Sequence, residues 1–240
     1  MLELKDYLLK SCQQLNINLT EYQAEQFIIY LKLLQSQNKK INLTAIDEAY
    51  EIIDYHFIDS LFFTLGGNFC SGMKVIDIGT GAGFPGLPLK IYTPEIDLTL
   101  IESRQKKIDF IREICDLLRF KHVKILPGRA EEYGHDKEYR EQYDLAVARA
   151  VSNLSTLVEY TLPFLRKNGR LITVKGEDII EELQAAQYAI KEVGGQLEEV
   201  KEVSLPFKEK KTNLVIIIKE RTTPFQFPRR IGIPQKRPLF

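Results

Sequence analysis

VIDIGTGAGFPG, residues 75–86, decides the fold of this 240-residue chain, because it sets an apolar β-branched run, one acid and four glycines within twelve positions. Residues 75–78 suit a short buried parallel strand, and Gly79, Gly81 and Gly83 allow a turn too tight for side chains. The next segment, GLPLKIY, reads as the opening of a helix, with its first N–H groups aimed at the crevice beyond the strand. Strand, glycine turn and helix together form a nucleotide-binding unit.

Two registers of this turn imply different ligands. Gly81, Gly83 and Gly86 match the dinucleotide spacing G-x-G-x-x-G, in which the third glycine lets helix and strand approach closely. Gly79, Gly81 and Gly83, with Asp77 two residues ahead, match the D-x-G-x-G-x-G turn of S-adenosylmethionine-dependent methyltransferases. The second is favoured, because its first glycine directly follows the last apolar strand residue, where the tight turn is needed. In it Asp77 is placed for an ammonium group or an ordered water. A second strand, residues 96–102, ends in Glu102, nineteen residues beyond Gly83. A carboxylate at that strand end can accept both ribose hydroxyls, which suits either cofactor; the plain alternative is an exposed strand-end acid.

Outward from this unit, strands at 75–78, 98–101, 123–126, 145–148 and 171–174 alternate with helical stretches, which means a parallel sheet covered on both faces. After a helix near 179–193, segments 197–204 and 214–218 form a closing pair. Their connection, LPFKEKKT, is too short for a crossover helix, so that pair is antiparallel. Before the turn the chain is helical: Leu4, Leu8, Leu9, Cys12 and Leu15 recur at helical spacing, as do Phe27, Ile28, Leu31, Leu33 and Leu34. Thr20 with Gln23 is a capping-box pattern. The expected organisation is a helical extension (1–70), a Rossmann-like α/β methyltransferase domain (71–220) with seven mostly parallel strands, and a basic, proline-rich tail (221–240).

The tail has five basic residues, four prolines and no acid. Its prolines oppose helix and strand pairing, leaving Arg229, Arg230, Lys236 and Arg237 as mobile positive charge with Phe225 and Phe227 as stacking surfaces, a composition suited to RNA. The alternative is a solvated tail lying on the domain. Over the whole chain 33 basic and 33 acidic side chains balance, which excludes non-specific coating of nucleic acid but allows a local patch. The chain shows no secretory signal and no apolar run near the roughly twenty residues of a membrane span, so a cytoplasmic protein is expected. Cys12, Cys70 and Cys115 lack C-x-x-C spacing and the three histidines are scattered, so no metal centre is expected.

Seven motifs carry a family resemblance: NKKINLTAI (38–46), HFIDSL (56–61), IDIGTGAGFPGLPL (76–89), GRAEE (128–132), ARA (148–150), KG (175–176) and PRRIGIPQKRPL (228–239). In these the chain resembles the bacterial small-subunit ribosomal RNA guanine-N(7)-methyltransferases, the glucose-inhibited division protein B family. The resemblance implies methylation of nitrogen 7 of a guanine in 16S rRNA, S-adenosylmethionine as cofactor, the small ribosomal subunit as partner and a monomer without metal. It also implies that Gly79, Phe84, Ala130, Glu131 and Arg149 contact the cofactor, beside Gly81, Gly83 and Glu102 from the turn chemistry. Phe84 can lie against the cofactor, and the Ala130–Glu131 pair, following the third strand, can read the adenine edge. Arg129 and Lys175, at strand ends like Arg149, are the candidates for holding RNA phosphate or the target base, and Arg149 or Lys175 for stabilising the charge that shifts onto the guanine. NKKINLT and HFIDSL are read as packing elements without chemistry.

Nitrogen 7 of guanine carries an in-plane lone pair and no proton, so direct in-line transfer needs alignment rather than a base. Accordingly the chain has no Pro-Cys pair of cytosine carbon-5 enzymes and no D/N-P-P-Y/F motif of amino-nitrogen methyltransferases. Two rivals are an NAD-dependent oxidoreductase, on the other glycine register, and a non-catalytic ribosome-assembly factor on a methyltransferase fold.

Overall fold

The computed structural model describes residues 2–67, 69–207 and 211–240. Seven strands form one sheet: β1 (Lys74–Ile78), β2 (Asp97–Glu102), β3 (Val123–Pro127), β4 (Tyr143–Arg149), β5 (Leu165–Lys175), β6 (Gly195–Ser204) and β7 (Lys211–Lys219). Their order is β3-β2-β1-β4-β5-β7-β6. All pairings among β1 to β5 are parallel, and β7 runs antiparallel to both β5 and β6. The expected antiparallel pair is therefore present, while Lys208, Glu209 and Lys210 of its LPFKEKKT connection lie outside the described residues.

Alternation along each strand divides the side chains between two cores. Leu145 and Val147 of β4, with Leu214 and Ile216 of β7, enter one cluster; Ala146, Ala148, Val215 and Ile217 enter the other. The first cluster is covered by α1 (Leu2–Gln14), α2 (Glu21–Ile41) and the continuous helical stretch α3 (Ala49–Ile52), a π-turned segment (Ile53–Ile58), α4 (Asp59–Leu61) and a 3-10 turn (Phe62–Gly66), together with α5 (Gly86–Tyr92) and α6 (Gln105–Leu117). Phe27, Tyr30, Phe57, Phe62 and Phe63 are fully buried there, so the amino-terminal helices share one core with the sheet. Thr20 and Gln23 close the capping box, and Gln23 Nε2 also donates to the carbonyls of Ile91 and Tyr92, fastening α2 to the end of α5.

The second cluster is covered by the one-turn α7 (Ala130–Tyr133), α8 (Leu154–Thr161), α9 (Ile180–Val193) and the carboxyl-terminal tail with its own turn α10 (Ile233–Lys236). The tail thus departs from the expectation of mobile charge. Between β3 and β4 the helix is a single turn, and the tail packs in the space beside it: Pro228 stands where a Cβ on Gly134 would be, and Phe227 is buried. Tail carbonyls without strand partners are satisfied by one side chain. The Arg140 guanidinium donates to Thr223, Pro224 and Phe227. Arg229 meets the fully buried Glu159 carboxylate through its backbone N–H, Nε and a terminal nitrogen, at 2.7–3.1 Å. Of the expected cationic set, Arg230, Lys236 and Arg237 remain exposed.

Strand β5 begins at Leu165, ahead of the expected 171. RKNGR lacks strand-forming side chains, but the pairing with β4 jumps from Tyr143↔Leu165 to Leu145↔Arg170, so residues 166–169 form a bulge rather than a strand start. Asn168 takes φ +66, and a Cβ on Gly169 would lie 3.0 Å from the carbonyls of Tyr143 and Asp144.

Candidate functional site

The carboxyl ends of β1, β2 and β3 open onto a cleft of about 170 Å³. Its walls include Gly79, Glu102, Gly128, Ala130 and Val151. The turn on its floor needs its glycines: Gly79, Gly81 and Gly83 have φ of +70, +64 and +98. A Cβ on Gly83 would lie 2.6 Å from the Tyr30 hydroxyl, which itself donates to the Ala82 carbonyl. Gly86 serves close packing of α5 on β1 and β2, since a Cβ there would come within 2.7 Å of Asp77 and Leu100. That is the role of the third glycine in the dinucleotide register, so Gly86 does not by itself choose between registers.

Asp77 is fully buried, and its Oδ2 accepts from Thr80 Oγ1 at 2.6 Å and from the Gly86 amide at 2.8 Å. Burial pushes its carboxyl up to about 7, against the opposing pull of those hydrogen bonds. This corrects two expectations. Asp77 ties the turn together through Oδ2, leaving only the buried Oδ1 for the expected ammonium or ordered water, and the first N–H of α5 is spent on Asp77 instead of facing the crevice.

Glu102 does face the cleft. Its Oε2 accepts from the Gly81 amide at 3.0 Å and its Oε1 from the Arg104 amide at 2.8 Å, which aims the carboxylate across the turn and leaves lone pairs for hydroxyl donors. Ala130 and Glu131 lie opposite, but Glu131 Oε1 accepts the Gly232 amide of the tail at 3.0 Å. Its carboxylate is therefore a tail anchor, and the backbone of this pair is what remains to face the cleft. Arg129 is exposed on the same rim. These groups fit a nucleoside: a carboxylate for two hydroxyls, backbone at the base, and glycines where side chains would intrude.

Phe84 is sandwiched between Tyr30 (5.4 Å, 10°) and His56 (4.6 Å, 22°), so its ring buttresses the turn and is not free to lie against a ligand. Arg149 sits 5.1 Å from the Phe84 ring centre and lines a second, larger cleft of about 550 Å³, shared with Tyr55, His56, Asp59 and Ala150. Its guanidinium donates to the Tyr55 carbonyl at 2.8 Å and pairs with Asp59 at 2.9 Å. It also faces His56 Nδ1 at 3.1 Å. Nδ1 also lies 3.0 Å from the Tyr55 carbonyl, and Nε2 lies 2.7 Å from Thr44 Oγ1. Burial, then the Arg149 charge, lowers the His56 pKa to about 3, so the ring is neutral at physiological pH.

HFIDSL therefore does more than pack. Phe57, Ile58 and Leu61 are buried as expected, while His56 and Asp59, on one face of the helical stretch, build the Arg149 cluster. The motif itself was the available signal. Lys175 is a correction of the opposite kind: its ammonium donates to the Ser152 carbonyl at 2.7 Å and to Glu182 at 2.8 Å, and Glu182 also accepts the Leu154 amide. It braces the loop after β4 and offers little to an RNA phosphate. The structure thus brings Gly79, Glu102, Arg129, Ala130 and Glu131 to one cleft, with Gly81 bonded to Glu102, puts Arg149 in a second cleft, and ties Lys175 to Ser152 and Glu182.

A family model described as GidB, rRNA small subunit methyltransferase G, matches residues 23–215. The chain is 46% identical over 238 residues to a ribosomal RNA small subunit methyltransferase G of Alkaliphilus oremlandii, covering 99% of this chain and 100% of that one. It is 44% identical to the protein of the same name from Thermoanaerobacter sp. (strain X514), covering 98% of each. Among solved structures, M. jannaschii TYW2 in complex with AdoMet aligns with a TM-score of 0.53 at 18% identity, over 69% of this chain and 76% of that one. A Haloferax volcanii putative methyltransferase complexed with the Trm112 activator aligns at 0.58 with 12% identity, over 78% and 98%. These likenesses agree with a Rossmann-like methyltransferase sheet.

Proposed function

Since this chain belongs to the GidB family of rRNA small subunit methyltransferases G, we propose that it methylates nitrogen 7 of a guanine in 16S rRNA with S-adenosylmethionine as methyl donor. The observation that carries the reading is the cleft where Glu102 crosses the glycine turn onto the Gly81 amide and faces the backbone of Ala130 and Glu131. Gly79 and Gly81 leave the space for the methionine end of the donor, Gly83 lets the turn pack on Leu87 and Tyr30, and Glu102 accepts the ribose hydroxyls. Family membership chooses between the two glycine registers where Gly86 could not. No helix among the described residues is long and apolar enough to cross a membrane, and an rRNA substrate places the work in the cytoplasm.

S-adenosylmethionine supplies an activated methyl group when bound. The chain's task is to align the acceptor, because the guanine nitrogen attacks through its own lone pair without losing a proton. The second cleft opens at the end of β4 beside the glycine turn, where the acceptor base belongs. Asp59 and Glu51 on its wall offer carboxylate oxygens that suit guanine's N1–H and amino donors. Positive charge passes from the donor to the base as the methyl moves. An isolated cation would oppose that, and Arg149 is paired with Asp59. Arg149 thus acts chiefly by fixing the His56 and Phe84 side of the turn, and Arg129 is the rim cation for RNA phosphate.

The test is transfer of labelled methyl from S-adenosylmethionine to small ribosomal subunits from a strain lacking this protein, followed by mapping of the modified nucleotide. Label at nitrogen 7 of one guanine is expected, and Arg149→Ala is expected to lose it. Label on another base, or none, overturns the acceptor assignment.

A further inference from the structure

The carboxyl-terminal tail reaches the cofactor cleft, and Gln235 of α10 is one of its wall residues. Three contacts fix where Gln235 stands. Gly232 donates its amide to Glu131 at 3.0 Å. Thr156 Oγ1 donates to the Pro234 carbonyl at 3.1 Å. Arg229, held by Glu159, donates to the Arg237 carbonyl at 2.8 Å, which closes the tail around α10. The Gln235 side chain is exposed on this clamped turn, facing a cleft whose other walls are Glu102 and the Ala130–Glu131 backbone.

We infer that the tail is a wall of the cofactor site and that Gln235 is a cofactor-contacting residue that reads the adenine base. The inference rests on the S-adenosylmethionine reading above. A carboxamide carries a donor and an acceptor side by side, the pattern that matches adenine's amino group and an adjacent ring nitrogen. The backbone of Ala130 and Glu131 borders the same base, and Gln235 adds a side-chain donor and acceptor to that wall. Because Glu131 holds the tail and also borders the base, ligand binding and tail docking are coupled, and each strengthens the other.

Calorimetry of S-adenosylhomocysteine binding to the full chain tests this, with hydrogen exchange of the amides of residues 231–236 as second readout. Gln235→Ala is expected to bind about tenfold more weakly at unchanged unfolding midpoint, and to bind S-inosylhomocysteine, whose ring carries an oxygen for the amino group, as wild type does. Ligand is expected to slow exchange at residues 231–236 of the wild-type chain. Wild-type affinity in Gln235→Ala together with ligand-independent exchange overturns the tail's role and leaves the cofactor reading standing. A folded wild-type chain that binds no S-adenosylhomocysteine overturns both.

Discussion

Arg229 grips both carboxylate oxygens of Glu159, a residue seventy positions earlier in the chain with no solvent exposure. Removing one partner of a buried ion pair leaves the other charged without water, which costs more than the pair itself contributes. Arg229→Ala is expected to lower stability by about 3 kcal/mol. Adding Glu159→Gln to Arg229→Ala is expected to recover part of that loss. Urea midpoints of the wild-type, single and double variants check it; an additive double variant removes the coupling.

The glycines of the turn are unequal. At Gly81 an added methyl meets only the Lys107 ammonium at 3.5 Å, so Gly81→Ala is expected to cost about 1 kcal/mol from its φ of +64. At Gly83 the methyl also overlaps Leu87 at 2.5 Å and the Tyr30 hydroxyl at 2.6 Å, for which about 3 kcal/mol is expected. Thermal unfolding of the two variants orders them.

Asp77 sets a pH dependence. Its folded carboxyl is pushed up to about 7 from 3.8, so between about pH 4 and pH 7 the folded chain keeps a proton that the unfolded chain has released. Stability from this group is therefore full below pH 4 and is lost as pH rises toward 7, with a slope of at most about 1.4 kcal/mol per pH unit. Asp77→Asn keeps an oxygen for Thr80 and Gly86 and removes the titration. The stability of wild type minus that of Asp77→Asn is expected to fall across this window, and a flat difference curve refutes it.

Arg129 and Lys175 separate RNA binding from bracing. Arg129→Ala is expected to change stability by less than about 0.5 kcal/mol and to lower the salt slope of rRNA binding by about one. Lys175→Met strips the donor from Ser152 and Glu182, and a loss of about 1–2 kcal/mol is expected, with the salt slope unchanged. Filter binding over a salt series, beside unfolding curves, tests both.

What the sequence by itself determined lies in local demands. The β-branched run before Gly79, the glycines with positive φ, the capping box at Thr20 and the alternation of strand and helix each depend on near neighbours, so strand order along the chain, turn and reversed last strand were legible. Glu102 was also legible, because a strand end is placed by its own strand. Tertiary structure alone decided where buried polar groups found partners. Asp77 turned inward to Thr80 and Gly86, Lys175 to Glu182 and Arg149 to Asp59. The tail, mobile on composition, became the missing cover beside α7 because Arg140 and Glu159 satisfied its carbonyls and its arginine. A buried charge must be neutralised wherever the fold puts a partner, and for Arg149 with Asp59, Glu159 with Arg229 and Arg140 with the tail that choice spans seventy or more residues that no local pattern connects.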